Sequence, residues 1–148
     1  MTLEYQKDID KINEEDNFSD CPPTDYTSKN YDAFRFVFED LSREMSFNPV
    51  YYIDPKRFLK TPAKTKCKSI SISLYNTENN ATSQFSNLLE QIGDRVYATI
   101  GTHLAFSELK KEDGICDTPN KDGHISHHFV KDFDYTNRFK IISKIENS

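Results

Sequence analysis

The clearest structural signal in this chain is an alternation of apolar and polar residues before Tyr75. Ile70, Ile72 and Leu74 alternate with serines at 69, 71 and 73. A period of two places successive side chains on opposite faces of a strand. The pattern therefore predicts a half-buried strand over residues 68–75.

The period changes about ten residues later. Phe85, Leu88, Leu89 and Ile92 follow the i, i+3, i+4, i+7 spacing that places them on one face of a helix. The letters YNTENN between the two segments are rich in residues that form turns and cap helix starts. The sequence predicts a strand, a turn and an amphipathic helix in succession.

Four other segments also carry strand patterns. Residues 33–38 alternate phenylalanines with Arg35 and a valine, and 95–106, 124–131 and 138–145 also contain alternating apolar positions. Strands before and after a single strong helix are typical of an α+β fold. We predict a mainly antiparallel sheet of about five or six strands, with one main helix packed on one face.

The chain divides at about residue 30 by composition. Residues 1–30 are acidic and contribute few large apolar side chains, among them Ile9 and Ile12. They are predicted to form an N-terminal arm that is partly helical or disordered. Residues 31–148 are predicted to form a single α+β domain, a size that suits one hydrophobic core.

Charge and composition narrow the classes of partner. The 148 residues carry 19 Lys and Arg against 24 Asp and Glu, a net charge of −5. This balance disfavours a nucleic-acid surface, although the lysines and arginine of residues 56–68 offer a basic stripe as the alternative. No apolar run is long enough to span a membrane, so no membrane partner is expected.

The same features suggest a compartment. The N-terminus lacks the basic and apolar segments of a secretion signal, which predicts a cytoplasmic protein. Cys21, Cys67 and Cys116 are odd in number and widely spaced, which predicts reduced thiols.

A histidine-rich segment near the C-terminus has the residue types of a metal site. His124, His127 and His128, with Cys116 upstream, are the candidate ligands. On a strand, however, His124 and His128 would lie about 13 Å apart, and His127 would point to the opposite face. The sequence therefore favours strand histidines beside buried apolar residues, with no metal and no cofactor.

The predicted serine face of residues 68–75 has two interpretations. Ser69, Ser71 and Ser73 would project together, either toward water or as hydrogen-bonding groups in a ligand site. The chain holds only four glycines and no glycine-rich phosphate loop, which argues against nucleotide binding of that type.

One resemblance concerns these serines. An arginine in an early strand, a serine-rich strand and Ala81-x-x-x-Phe85 at a helix start resemble the core of ADP-ribosyltransferases, although a Ser-Thr-Ser triplet and a Glu-x-Glu motif are missing. The resemblance implies that an arginine and a serine bind NAD while a glutamate acts on the ribose. The residues in those roles would be Arg35, Ser71 or Ser73, and Glu108 or Glu112.

A second resemblance covers residues 34–142. The order of the FRFVFEDLSREMSFNP, CKSISISLYNTENNAT and YATIGTHLAF segments and of His127-His128-Phe129 is similar to a family of small uncharacterised bacterial α+β proteins. This chain differs from the family in having no tryptophan. The resemblance implies a stand-alone cytoplasmic protein and no particular activity.

The aromatic residues between 47 and 62 suggest how the protein works. Tyr51, Tyr52 and Phe58 lie in a long proline-rich connection, where they serve either as core residues or as anchors for a partner. We predict a protein that acts by binding another protein, as the partner or immunity protein of an effector or toxin. An enzyme that uses NAD is the alternative.

Overall fold

The computed structural model describes residues 1–15 and 17–145, and its centre is a six-stranded sheet. The strands run in the order β4-β5-β2-β1-β3-β6, and every neighbouring pair is antiparallel. The strands are β1 (Tyr31–Val37), β2 (Ile72–Tyr75), β3 (His103–Leu109), β4 (Gly114–Cys116), β5 (His124–Phe129) and β6 (Lys140–Lys144). The predicted α+β fold with a mainly antiparallel sheet is confirmed.

One helix precedes the first strand, and the others lie in the connections between strands. They are α1 (Gln6–Glu15), α2 (Glu44–Phe47), α3 (Val50–Ile53), α4 (Ala63–Ile70), α5 (Glu78–Ile92), α6 (Val96–Thr99) and α7 (Tyr135–Arg138), with 3₁₀ turns at Pro55–Phe58, Gly93–Arg95 and Lys111–Asp113. The longest, α5, begins after Thr77, whose side chain accepts a hydrogen bond from the Asn80 N–H. It ends at Gly93, whose φ of 65° favours glycine.

Hydrophobic clusters cover both faces of the sheet. Helix α5 packs on one face through Phe85, which contacts Phe36 and lies in a cluster with Tyr75 and Leu104. The predicted apolar face of this helix is therefore correct. Val37 and Leu74 are next to Phe36 and Tyr75 in the chain, so their side chains point to the other face of the sheet. There they form the second cluster with aromatic residues of the C-terminal region.

The N-terminal segment packs beside helix α4. Ile9 and Ile12 are buried in a cluster with Ala63 and Ile70. A disulfide between Cys21 and Cys67 joins the two segments, and Cys116 is a buried free thiol. The prediction of three reduced thiols was wrong because a sequence separation of 46 residues gives no sign that the folded chain brings two cysteines together.

Residues 68–70, predicted as the start of a strand, belong to helix α4. Ala63, Cys67 and Ile70 are buried at helical spacing, so the helix continues up to the residue before Ser71. The strand itself is only Ile72–Tyr75. The alternating pattern was real over residues 72–75, but Ile70 belongs to the end of the helical pattern.

Residues 95–100 also differ from the prediction. They form the end of a 3₁₀ turn and helix α6, and the strand begins only at His103. Val96 and Ile100 both pack against the cluster under α5. A spacing of four fits a helix as well as a strand, so tertiary packing decided between them.

None of the helices formed by residues 1–15 and 17–145 combines the length and the apolar composition that crossing a bilayer requires.

Buried histidines should make the fold sensitive to acid. Burial lowers the pKa of His128 to about 4, below the value near 6.5 that an unfolded chain allows. The unfolded state then binds an extra proton between those two values, so stability is full above pH 6.5 and falls as the pH approaches 4. The loss is about 3 kcal/mol for this residue.

We expect His128→Phe to remove this part of the acid sensitivity, because the Nε2 atom of His128 has no hydrogen-bond partner to lose. Urea denaturation at pH 7.5, 6 and 5 measures the difference. Equal losses of unfolding free energy in wild type and variant would contradict the assignment.

Candidate functional site

A groove opens where the two central strands, β1 and β2, separate. The strands pair only at Phe34 and Tyr75. Beyond that point Arg35 bridges the gap, since its Nε donates a 2.7 Å hydrogen bond to the Ser46 carbonyl and its Nη1 a 2.9 Å bond to the Ser73 carbonyl. A charged side chain thus occupies the place where strand-to-strand bonds would continue.

Arg35 is a desolvated cation. Burial of the guanidinium lowers its pKa to about 10, and the neighbouring Tyr135 and Tyr75 act in the opposite direction. The group still carries its charge at neutral pH. Within residues 1–15 and 17–145, no carboxylate forms an ion pair with it. A desolvated cation that lacks a carboxylate partner is a feature of binding sites.

The groove is about 890 Å³ in volume and is lined from three directions. The sheet contributes Phe36 and Ser73, helix α5 contributes Leu88, and the connection after β1 contributes Val50 and Ile53. A second cavity of about 470 Å³ adjoins it. The residues that line both are Val50, Arg57, Lys68, Ser71, Ser73 and His124.

Positive charge is concentrated along these two cavities. Their cationic residues are Arg35, Arg57, Lys64, Lys68 and Arg95, whereas Asp54 is the one acidic residue in the described lining. Among the described residues, no carboxylate lies within ion-pair distance of these five cations. The chain as a whole has net charge −5, so the groove is opposite in sign to the protein.

The predicted serine face is only partly present. Ser69 and Ser71 are buried at the end of α4, where their hydroxyls donate 2.6 Å hydrogen bonds to the Lys66 and Lys68 carbonyls. Of the three predicted serines, only Ser73 lies on the strand. The correction follows from the longer helix, because side chains on a helix do not alternate as they do on a strand.

The serine that lies beside Ser73 comes from a different strand. Ser126 on β5 is directly opposite Ser73 on β2, so both side chains project from the same face of the sheet. Ser126 is 1% exposed, and its hydroxyl oxygen has no hydrogen-bond partner in the described part of the chain. It lines the smaller cavity.

The candidate metal ligands lie in different surroundings on the two faces of the sheet. His124 is half-buried in the groove, and burial is the main cause of its lowered pKa. His127 is buried on the other face, where its Nδ1 lies 2.6 Å from the Tyr31 hydroxyl, and Cys116 is its cross-strand neighbour. His128 is buried and points away from His127. In the described ranges, no three His, Cys, Asp or Glu residues are grouped as metal ligands.

Cys116 is poorly suited to act as a nucleophile. Its thiol is 1% exposed, and burial raises its pKa, which keeps it protonated at neutral pH. The arrangement of Cys116, His127 and Tyr31 is that of a buried polar cluster in the core.

The aromatic residues of the connection pack against the body. Phe58 is buried, and Tyr51 stacks on it with ring centroids 5.9 Å apart. Tyr52 is half-buried, and its hydroxyl donates a hydrogen bond to the Asp8 carboxylate. The exposed apolar residues of this region are instead Val50, Ile53 and Leu59.

The residues named by the ADP-ribosyltransferase resemblance divide into two groups. Arg35, Ser71 and Ser73 line the same groove. Glu108 is exposed on β3, where it pairs in register with Asp32 at the far end of β1, and it is not part of the groove lining. Glu112 lies in an exposed 3₁₀ turn.

A comparison with protein-family models, curated proteins and solved structures finds no match to this chain. Both family resemblances therefore stay predictions.

Sequence reasoning missed some of the residues that line the two cavities, chiefly Arg95 in the groove and Ser126 in the smaller cavity. The basic stripe of residues 56–68 was the available signal for Arg57, Lys64 and Lys68. Ser126 carried no such signal, because its position beside Ser73 depends on how β2 and β5 pair.

We expect Arg35→Met to destabilise the protein by about 2–3 kcal/mol, because the Ser46 and Ser73 carbonyls would lose charged hydrogen-bond donors. Arg57→Met, at an exposed position in the same groove, is the matched control and should cost less than about 0.5 kcal/mol. Urea denaturation at neutral pH measures both. A loss for the Arg35 variant no larger than that of the control would show that Arg35 does not bridge the strands.

Proposed function

We propose that this chain is a binding protein whose groove receives an acidic segment of another protein. The observation that carries the proposal is the set of five cations and one acid along the groove of an acidic protein. Keeping like charges together without carboxylate partners costs stability, and an anionic ligand offsets that cost.

The shape and the apolar lining support a polypeptide ligand. The two cavities share lining residues, so together they form one continuous depression with room for a segment of chain. Val50 and Ile53 are 38% and 40% exposed at its edge, and they offer contacts to apolar side chains of the ligand. Such a mixture of apolar and charged contacts is usual at protein interfaces.

The biological setting that we propose is a partner or immunity protein of an effector or toxin. The sequence-based contact residues Tyr51, Tyr52 and Phe58 would then act indirectly, since they hold the connection that presents Val50 and Ile53.

Binding to defined peptides tests this proposal. We expect a fluorescein-labelled peptide of alternating Glu and Leu to bind, with an affinity that falls as salt is added. We expect Arg57→Glu/Arg95→Glu to weaken binding at least tenfold, or about 1.4 kcal/mol, by fluorescence anisotropy. Lys121→Glu, in the exposed loop before β5, makes a charge reversal outside the groove and should leave the affinity unchanged.

Two results would contradict the proposal. One is equal binding of the Glu-Leu peptide and a Gln-Leu peptide of the same length. The other is equal weakening by the groove variant and by Lys121→Glu, which would indicate a response to net charge alone. A single-stranded oligonucleotide that binds more tightly than the acidic peptide would instead assign the groove to nucleic acid.

An NAD-dependent transferase is the second candidate, and the shared position of Arg35, Ser71 and Ser73 in one groove favours it. In that case the purified protein should release nicotinamide from NAD, and Ser73→Ala should abolish the release. Chromatography of nicotinamide is the measurement. We expect no release, because the predicted acid, Glu108, lies outside the groove.

The cytoplasmic location predicted from the sequence stays a prediction. The Cys21–Cys67 disulfide favours an oxidising compartment, in which such bonds persist.

A further inference from the structure

The smaller cavity contains two hydroxyls that the fold itself leaves unused. Ser73 is exposed and its side chain has no hydrogen bond in the described part of the chain, while Ser126 is 1% exposed with an unpartnered Oγ. The Tyr26 hydroxyl lies near Ser126, yet no hydrogen bond of normal geometry joins them. An unpaired buried hydroxyl costs about 1–3 kcal/mol, so a ligand atom is a natural partner for it.

Two neighbouring serine hydroxyls are already engaged as donors. Ser69 and Ser71 already donate to carbonyls at the end of α4, which leaves only their lone pairs free. Ser73, Ser126 and Thr65 of helix α4 are the residues of the lining whose O–H groups are available, and Ser73 and Ser126 lie side by side on paired strands.

Cations complete the lining around the two hydroxyls. Arg57, Lys64 and Lys68 line the same cavity and are exposed, and His124 lies two residues before Ser126 on the same face. No acidic residue lines this cavity in the described chain. The ligand that fits is thus strongly anionic and accepts several hydrogen bonds at once.

We propose that this cavity is a phosphoryl-binding subsite formed by Ser73, Ser126, Arg57, Lys64 and Lys68. A phosphoryl group carries nearly two negative charges and three acceptor oxygens at neutral pH, which matches three cations and two hydroxyl donors better than a single carboxylate does. The subsite deepens the proposed function and rests on it, because the phosphoryl group would be carried by the acidic segment in the adjoining groove.

Three peptides of one acidic sequence test the subsite. They carry phosphoserine, serine or glutamate at one central position, and anisotropy measures their affinities. We expect the phosphoserine peptide to bind at least tenfold more tightly than either of the others. Ser126→Ala should remove that difference and leave the affinity for the serine peptide unaffected. Lys68→Met should weaken all three peptides, because Lys68 lines both cavities, and the phosphoserine peptide most.

Arg95→Met is the matched control, since Arg95 lines the larger cavity alone. It should weaken all three peptides by the same factor. Ser126→Ala removes a buried hydroxyl with no partner to lose, so the variant should unfold at a midpoint no lower than that of the wild type.

A second readout depends on proximity and not on affinity. The histidine NMR signals of the protein follow the titration of His124, whose pKa is lowered mainly by burial and also by Lys68. A bound phosphoryl dianion should raise that pKa, whereas the serine peptide should raise it less.

The outcomes separate the two proposals. Equal affinity for the phosphoserine and glutamate peptides, or a difference that survives Ser126→Ala, overturns the subsite and leaves the acidic-segment proposal standing. Binding of inorganic phosphate that is lost in Ser126→Ala, without binding of any peptide, supports the subsite and rejects the acidic segment. Competition by free phosphoserine tells whether the phosphoryl group is recognised apart from its chain.

Discussion

The interaction on which the site depends is the bridge that Arg35 makes between the two central strands. Strands β1 and β2 pair at one position and then part, and the Arg35 guanidinium, carried by β1, donates to the Ser73 carbonyl on β2 and to the Ser46 carbonyl in α2. A sheet that opens at its centre without such a bridge would leave backbone groups without partners. The bridge satisfies them with a charged group, so the opening that forms the groove also places a positive charge in it.

The remaining cations lie on, or directly after, the helices that border this opening. Arg57 lies after the short helix α3, Lys64 and Lys68 lie on successive turns of α4, and Arg95 follows α5. Each is solvated at its own position, and the fold brings them to a common depression. Because exposed charges of one sign repel weakly in water, this arrangement is tolerated in the free protein and becomes favourable with an anion present.

Features that depend on neighbouring residues in the chain could be predicted from the sequence, whereas features that depend on contacts between distant residues could not. Helix α5 was predictable because its cap at Thr77 and its apolar face lie within fifteen residues of each other. The disulfide, the separation of β1 from β2 and the Ser73–Ser126 pair were not predictable. They depend on strand order and register, and no local pattern records which strands become neighbours.

The central claim is that an arginine replaces strand pairing at the opening of the groove. NMR of the Arg35 side chain tests it most directly, through the exchange rate of its Nε–H and through couplings across hydrogen bonds to the Ser46 and Ser73 carbonyl carbons. The structure predicts slow exchange at the Nε–H and a coupling to the carbonyl of each serine. Rapid exchange at Arg35, together with direct backbone hydrogen bonds between Phe36 and Ser73, would show a closed sheet and contradict the account.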